Sequence, residues 1–265
     1  MKKTIYPIIA VLILVSLFFV QRYQNSEISE ENIKIASKSN YSLSRADFIP
    51  NSNNQIIHHK SYSLSYNEQH EQAEWTVHVL RPSDIKRAEY KRPYFEIDDM
   101  VSTGAASWRN YKNSGYDRGH LVPAGDRRGS LEDYEETFLT SNISPQRHDF
   151  NSGIWNRLEQ KVRYYAQKED GIYVITGSIL ENNLESIGSE NVSVPKRFYK
   201  ILYKSSNGKK SMLAFLIPHQ ETSQSIYDFV VSVDSIEQLT GTDFFSQLPD
   251  NLEEDLERAT NRSGW

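Results

Sequence analysis

SGYDRGHLVPAGDRRG, residues 114–129, sets an arginine and a histidine on either side of a single glycine. On an extended segment residues 118 and 120 point to the same face, so Arg118 and His120 would meet one ligand together. Arg118 carries a permanent charge in a planar fork that suits phosphate oxygens. Gly119 removes the side chain between them and lets backbone and ligand approach closely. A neutral histidine, with an ordinary pKa of about 6.5, can take a proton from water at physiological pH. Taken alone, the triplet reads as a solvated surface turn.

The stretch FLTSNISPQRHDFNSGIWNRLEQ, residues 138–160, changes that reading. Its first half predicts a short strand entering a turn. From residue 152 the apolar residues Ile154, Trp155, Leu158, Val162 and Tyr165 recur at helical spacing, and Gly171 supplies a stop. Asn142 then falls at a strand end, Asn151 at the mouth of the helix and Glu159 two turns further on. Asn151 also has an ordinary explanation as a helix cap, and Glu159 as a solvated side chain. Both nevertheless offer hard oxygens, which Mg²⁺ accepts in small number while it keeps several waters.

Outward from this centre, YSLSY and AEWTVHVL flank the polar turn NEQHEQ and predict a hairpin that Pro82 terminates. IYVITGSIL reads as a buried strand, and RFYKILYK and SMLAFLIPH as a second hairpin turning at Asn207-Gly208. A short helix, an aromatic plug at Phe244-Phe245 and an acidic terminal helix close the chain. The segment from Arg92 to Gly115 predicts long surface structure. Together these elements give an α+β fold built on mainly antiparallel sheet with flanking helices.

The 265 residues contain no cysteine, which excludes thiolate catalysis, disulfides and cysteine-based zinc sites. The seven histidines show no spacing suited to a multi-histidine metal site, and no Gly-x-Ser-x-Gly elbow is present. The net charge of −5 means that any polyanion must be held by a local basic surface. Between Arg81 and Arg163 fourteen Lys or Arg face thirteen Asp or Glu, so the acidic excess lies elsewhere. Arg109, Lys112, Arg127, Arg128 and Arg147 are candidates to follow a nucleic-acid backbone without reading bases.

The run Asp117-Arg118-Gly119-His120, then Ser141 to Gln146 (SNISPQ), then Asn151, Trp155 and Leu158-Glu159, resembles the DNA/RNA non-specific endonuclease family in both order and spacing. The resemblance implies a ββα-metal (His-Me finger) core. It implies an Mg²⁺- or Mn²⁺-dependent endonuclease acting on DNA, RNA or both, with little sequence preference. By the same resemblance His120 is the general base, Asn151 the direct metal ligand and Glu159 a holder of metal-bound water. Arg118 contacts phosphate, and Asn142 positions His120 or the scissile region. An upstream arginine, Arg92 in preference to Arg87, joins the substrate contacts. Asp117 is read as an orienting or structural residue, and a homodimer is implied. A non-catalytic nucleic-acid-binding module on the same scaffold is the alternative reading.

Residues 1–24 place two lysines before an apolar run from Ile5 to Val20, the layout of a secretory signal without an evident cleavage site. The expectation is an exported domain at the periplasmic or cell-surface side, held to the membrane by an uncleaved signal anchor, or secreted if the segment is removed. Residues 25–60 read as a flexible tether and residues 61–265 as the endonuclease domain.

Overall fold

The structure is a computed structural model and describes residues 44–85, 88–206, 208–262 and 264–265. The chain divides into two units, Met1–Ser42 and Leu43–Trp265, and the fold below is that of the second. The expected signal segment, and the tether up to residue 43, lie outside the described residues.

Strands β1 (Gln55–His58), β2 (Ser63–Asn67) and β3 (Gln72–Leu80) lead to a short hairpin, β4 (Asp117–His120) and β5 (Ile143–Gln146). They are followed by β6 (Ile172–Ser178), the small pair β7 (Ser186–Ile187) and β8 (Val192–Ser193), β9 (Arg197–Ser206), β10 (Lys209–Pro218) and β11 (Val230–Val231). The helices are α1 (Leu131–Glu136), α2 (Asn156–Lys168), α3 (Val233–Thr240) and α4 (Asp250–Glu257). Seven strands form one antiparallel sheet in the order β1-β2-β3-β6-β9-β10-β11.

Both faces of this sheet are covered, which explains why its central strands read as continuous apolar runs. Because side chains alternate along a strand, Ile172 and Val174 of β6, Phe198 and Leu202 of β9, and Leu213 and Phe215 of β10 form one face. They pack against Ile154, Trp155, Leu158 and Val162. Tyr173, Ile175, Tyr199, Ile201, Met212 and Ala214 form the other face, under Val233, Ile236, Phe244 and Phe245. Fully burying Ile154, Trp155 and Leu158 contributes about 1.5–3 kcal/mol each and fastens α2 to the sheet. Gly171 returns its N–H to the Ala166 carbonyl at 2.9 Å, closing the end of that helix.

The compact unit begins earlier than the boundary expected at residue 61. Phe48 is buried among Tyr173, Tyr203 and Phe245, and Gln55–His58 forms the edge strand paired to β2. His59, expected in a tether, is buried with its Nε2 2.9 Å from Asp98 Oδ2. The polar flanks of this segment misled, because only Ile56 and Ile57 carry its apolar contacts and ladder pairing to β2 supplies the rest of its order.

Candidate active site

The hairpin β4–β5 pairs Asp117 with Gln146, Arg118 with Pro145, Gly119 with Ser144 and His120 with Ile143. A helical turn at His148–Phe150, a kinked segment at Asn151–Trp155 and then α2 follow β5 directly, so two strands and a helix form one continuous ββα unit. Gly119 is required by close approach. A Cβ at that position would lie 2.2 Å from the Gln146 side chain, which occupies that space.

Phe95 and Phe138 make an aromatic floor under this hairpin. The His120 ring stands 5.4 Å from Phe95 and meets Phe138 edge-on at 5.0 Å. The Arg118 guanidinium lies 4.9 Å from the Phe95 ring centre, and Arg92 lies 5.9 Å from Phe95 and 5.6 Å from Phe138. Two cations and one imidazole are thus gathered on two phenyl rings. The floor itself is held by main-chain bonds from Glu96 N to Phe138 O (3.1 Å) and Thr140 N to Glu96 O (2.9 Å). Burial, reinforced by the charges of Arg92 and Arg118, pushes His120 down to about 3. Its Nε2 is sealed from solvent without a hydrogen-bond partner.

The sign of this shift gives a direct expectation. The folded value lies below that of a free histidine, so the neutral form is favoured and its stabilising contribution is present above about pH 6.5. It is lost as the pH falls toward 3. In an NMR titration the His120 ring protons are expected to stay unshifted from pH 8 to pH 5, and Arg118→Gln to move the inflection upward. An inflection at the ordinary histidine value in the wild type would contradict this environment.

Asn142 is fully buried, and its amide is spent on main chain. Its Oδ1 accepts from Val122 N (2.9 Å), and its Nδ2 donates to the carbonyls of Val122 (3.0 Å) and Thr137 (2.9 Å). Its own carbonyl accepts from Leu121 N at 2.9 Å. Asn142 therefore fixes the chain just after His120, and its side chain is engaged with main chain. Ser141 is tied down from the other side, its hydroxyl donating to buried Asp98.

Asn151 is not the helix cap that its position suggests. Its backbone is right-handed helical (φ −60°, ψ −50°), and its Nδ2 donates to Asp117 Oδ2 at 3.0 Å. The same Asp117 oxygen contacts His148 Nδ1 at 2.9 Å. The amide nitrogen is thereby committed, and the amide oxygen takes no part in that bond. Entry to this helix is anchored by His219, whose Nδ1 lies 2.7 Å from the Pro195 carbonyl and whose Nε2 accepts from Arg147 N at 2.7 Å. Those two bonds define a neutral ring with its proton on Nδ1.

Glu159 makes no hydrogen bond to Asn151 or His120. Its carboxylate lies 3.9 Å from Arg163 Nη1, within a buried polar cluster. Arg163 donates to Asp126 Oδ1 at 2.8 Å, and Asp126 Oδ2 is 3.4 Å from His78 Nε2. Lys200, 1% exposed on β9, donates to Thr176 Oγ1 at 2.6 Å and faces the Trp155 ring. Burial raises Glu159 to about 7 against the pull of Lys200, and burial lowers Lys200 to about 8. Burial with the charge of Arg127 lowers His78 to about 4.

Arg127 is withdrawn from the expected backbone-following set. It is buried, and its guanidinium donates to the Val79 carbonyl (3.1 Å) and to Asp84 (3.3 Å). Arg109, Lys112, Arg128 and Arg147 are exposed, as are Arg92 and Arg118. Arg87 lies outside the described residues. Sequence reasoning missed Phe95, Phe138, Lys200, Asp126 and Arg163. For Lys200 a signal existed, because in RFYKILYK it shares the strand face of Phe198 and Leu202.

The profile of the family described as "DNA/RNA non-specific endonuclease" matches residues 42–251. The chain belongs to the DNA/RNA non-specific endonuclease family. It is 34% identical over 208 residues to endonuclease G, mitochondrial, of Caenorhabditis elegans, covering 72% of this chain and 68% of the worm protein. It is 31% identical over 228 residues to nuclease C1 of Cunninghamella echinulata var. echinulata, covering 80% and 90%. With nuclease EXOG, mitochondrial, of Xenopus laevis it shares 29% identity over 205 residues, 71% of this chain and 57% of the frog protein. The chain thus spans less than two thirds of that relative's length. The solved EndoG/EndoGI complex contains a chain similar to this one, with TM-score 0.70 and 29% identity over 75% of this chain and 89% of that one. The α+β, mainly antiparallel architecture agrees with that EndoG structure.

The expected exported, membrane-anchored location is corrected by these non-specific endonuclease relatives. The worm and frog proteins are mitochondrial by name, and among the described residues no helix is long and apolar enough to cross a membrane. The reading failed because a lysine-flanked apolar run reports hydrophobicity, which does not specify a destination.

Proposed function

We propose that this chain is a metal-dependent endonuclease that hydrolyses phosphodiester bonds of DNA and RNA with little sequence preference. The observation that carries the reading is the gathering of the His120 imidazole with the Arg92 and Arg118 guanidinium groups on one aromatic floor of Phe95 and Phe138. A base beside two phosphate-binding cations, with no apolar pocket for a nucleobase called for, suits chemistry directed at the backbone.

In this reading water reaches the imidazole at Nδ1, since Nε2 is sealed. His120 takes the proton as the water oxygen bonds to phosphorus. Arg118 and Arg92 donate to the non-bridging oxygens, whose charge grows in the transition state. The bond from phosphorus to the 3′-oxygen breaks, that oxygen takes a proton from solvent water, the protonated His120 returns its proton to solvent, and the products carry a 3′-hydroxyl and a 5′-phosphate. Asn142 acts through the backbone of Leu121 and Val122, as a positioning residue.

The donor set fits a hard cation that keeps most of its water. Asn151 offers one amide oxygen, and among the described residues no group of three His, Asp or Glu converges there. Asn151 would hold Mg²⁺ or Mn²⁺ directly, Asp117 would orient that amide, and Glu159 would engage an outer water after a side-chain rearrangement. When bound, such a cation supplies positive charge at the phosphate and at the leaving oxygen. The substrate range is tested with duplex DNA, single-stranded DNA and RNA of unrelated sequences. Cuts scattered along every substrate with 5′-phosphate ends are expected. Cleavage at one motif alone, or of small diesters but no polymer, would overturn the reading.

A further inference from the structure

Asp234 and Glu237 lie one turn apart on α3, and Glu257 reaches them from α4. One carboxylate oxygen from each of the three lies within 4.8 Å of the other two. Among the described residues no Lys, Arg or His stands within ion-pair distance of Asp234, Glu237, Glu253 or Glu257; the nearby Arg258 pairs with Glu254 instead. Glu257 is only 5% exposed, and its Oε1 is sealed from solvent with no hydrogen-bond donor. The Oε1 of neighbouring Glu253 is sealed in the same way. One Glu237 oxygen is satisfied by Phe244 N at 2.9 Å. A nine-tenths buried carboxylate aimed at two others, without donor or counter-charge, is a group that lacks its partner.

We propose that Asp234, Glu237 and Glu257 bind a calcium-class divalent cation that clasps α4 to α3, on a site separate from Asn151 and His120. Ca²⁺ takes six to eight hard oxygens at about 2.3–2.6 Å, so oxygens opposite each other across the ion stand about 4.6–5.2 Å apart. Three oxygens that all lie within 4.8 Å of one another can therefore reach a single ion, and carboxylates are the donors this cation prefers. Burial and the surrounding acids, Glu237 first, push Glu257 up to about 8 when no cation is present. The clasp is structural, since Val233 and Ile236 of α3 and Leu252 and Leu256 of α4 pack on the sheet face opposite α2.

The test is thermal unfolding of the full chain with increasing Ca²⁺, for the wild type, Asn151→Ala, Glu257→Gln and Asp234→Asn. A cation bound only by the folded state, at about 100 times its dissociation constant, raises Tm by roughly 5–10 °C for a domain of this size. That rise is expected in the wild type and in Asn151→Ala, and its loss in Glu257→Gln and Asp234→Asn. Calorimetric titration of Ca²⁺ into the same four proteins gives a second readout independent of melting. No Ca²⁺ response in the wild type would mean a shared proton in place of a cation, and would overturn the proposal. A response abolished by Asn151→Ala, or retained in both acidic-site variants, would overturn it as well.

Discussion

His120→Ala is expected to lower kcat on DNA and RNA by about 10²–10⁴-fold, the usual contribution of a positioned general base. The loss should fall on kcat, with KM little changed, because Arg118 and Arg92 remain to bind phosphate on Phe95 and Phe138. The fold should survive. His120 sits at the end of β4, and the following backbone is held by Asn142 through Leu121 and Val122, none of which depends on the imidazole. Circular dichroism and a melting curve alongside the kinetics separate lost chemistry from lost structure. A folded variant that keeps the wild-type rate would remove His120 from the mechanism.

Asn151→Ala is expected to reduce cleavage at least about 10²-fold, more than the 10–100-fold typical of groups that merely orient a metal ligand. Excess Mg²⁺ or Mn²⁺ should recover little of it, since the substitution removes the amide oxygen proposed as the direct ligand. Asn151→Asp tests why an amide occupies the position. Asn151 Nδ2 donates to Asp117 Oδ2 at 3.0 Å, so aspartate would set two carboxylates at hydrogen-bond distance without a proton between them. That variant should also be impaired, and it should recover in part as the pH falls and the pair binds a proton. Metal titrations of activity at two pH values check both expectations. Full activity in Asn151→Ala would show that the cation is held elsewhere.

The features legible in the sequence were those set by local periodicity and spacing. The sheet strands, the pairing of β9 with β10 and the face of α2 all follow from side-chain alternation or the helical repeat. The ββα unit was legible because Asp117 to Glu159 is one continuous segment, with its residues at fixed intervals. Contacts between distant segments were not. Phe95 lies in a stretch without periodicity and gains its place only through pairing of Glu96 with Phe138 and Thr140. Arg127 looked like surface charge, yet the Val79 carbonyl and Asp84 draw it inside. Asn142 carries a residue type suited to catalysis, but its hydrogen bonds are all consumed by the chain. Glu159 had the expected helical interval, and Arg163 follows one turn later on the same helix, but its other neighbours Asp126 and Lys200 come from distant segments.

In the proposed mechanism His120 supplies the base and a cation at Asn151 supplies the charge. Conversion of supercoiled plasmid to nicked and linear forms, measured for the wild type and His120→Ala with Mg²⁺ and with EDTA, tests it most directly. Rapid conversion is expected only for the wild type with Mg²⁺. Cleavage by the folded wild type that persists in EDTA, or by His120→Ala at the wild-type rate, would contradict the account.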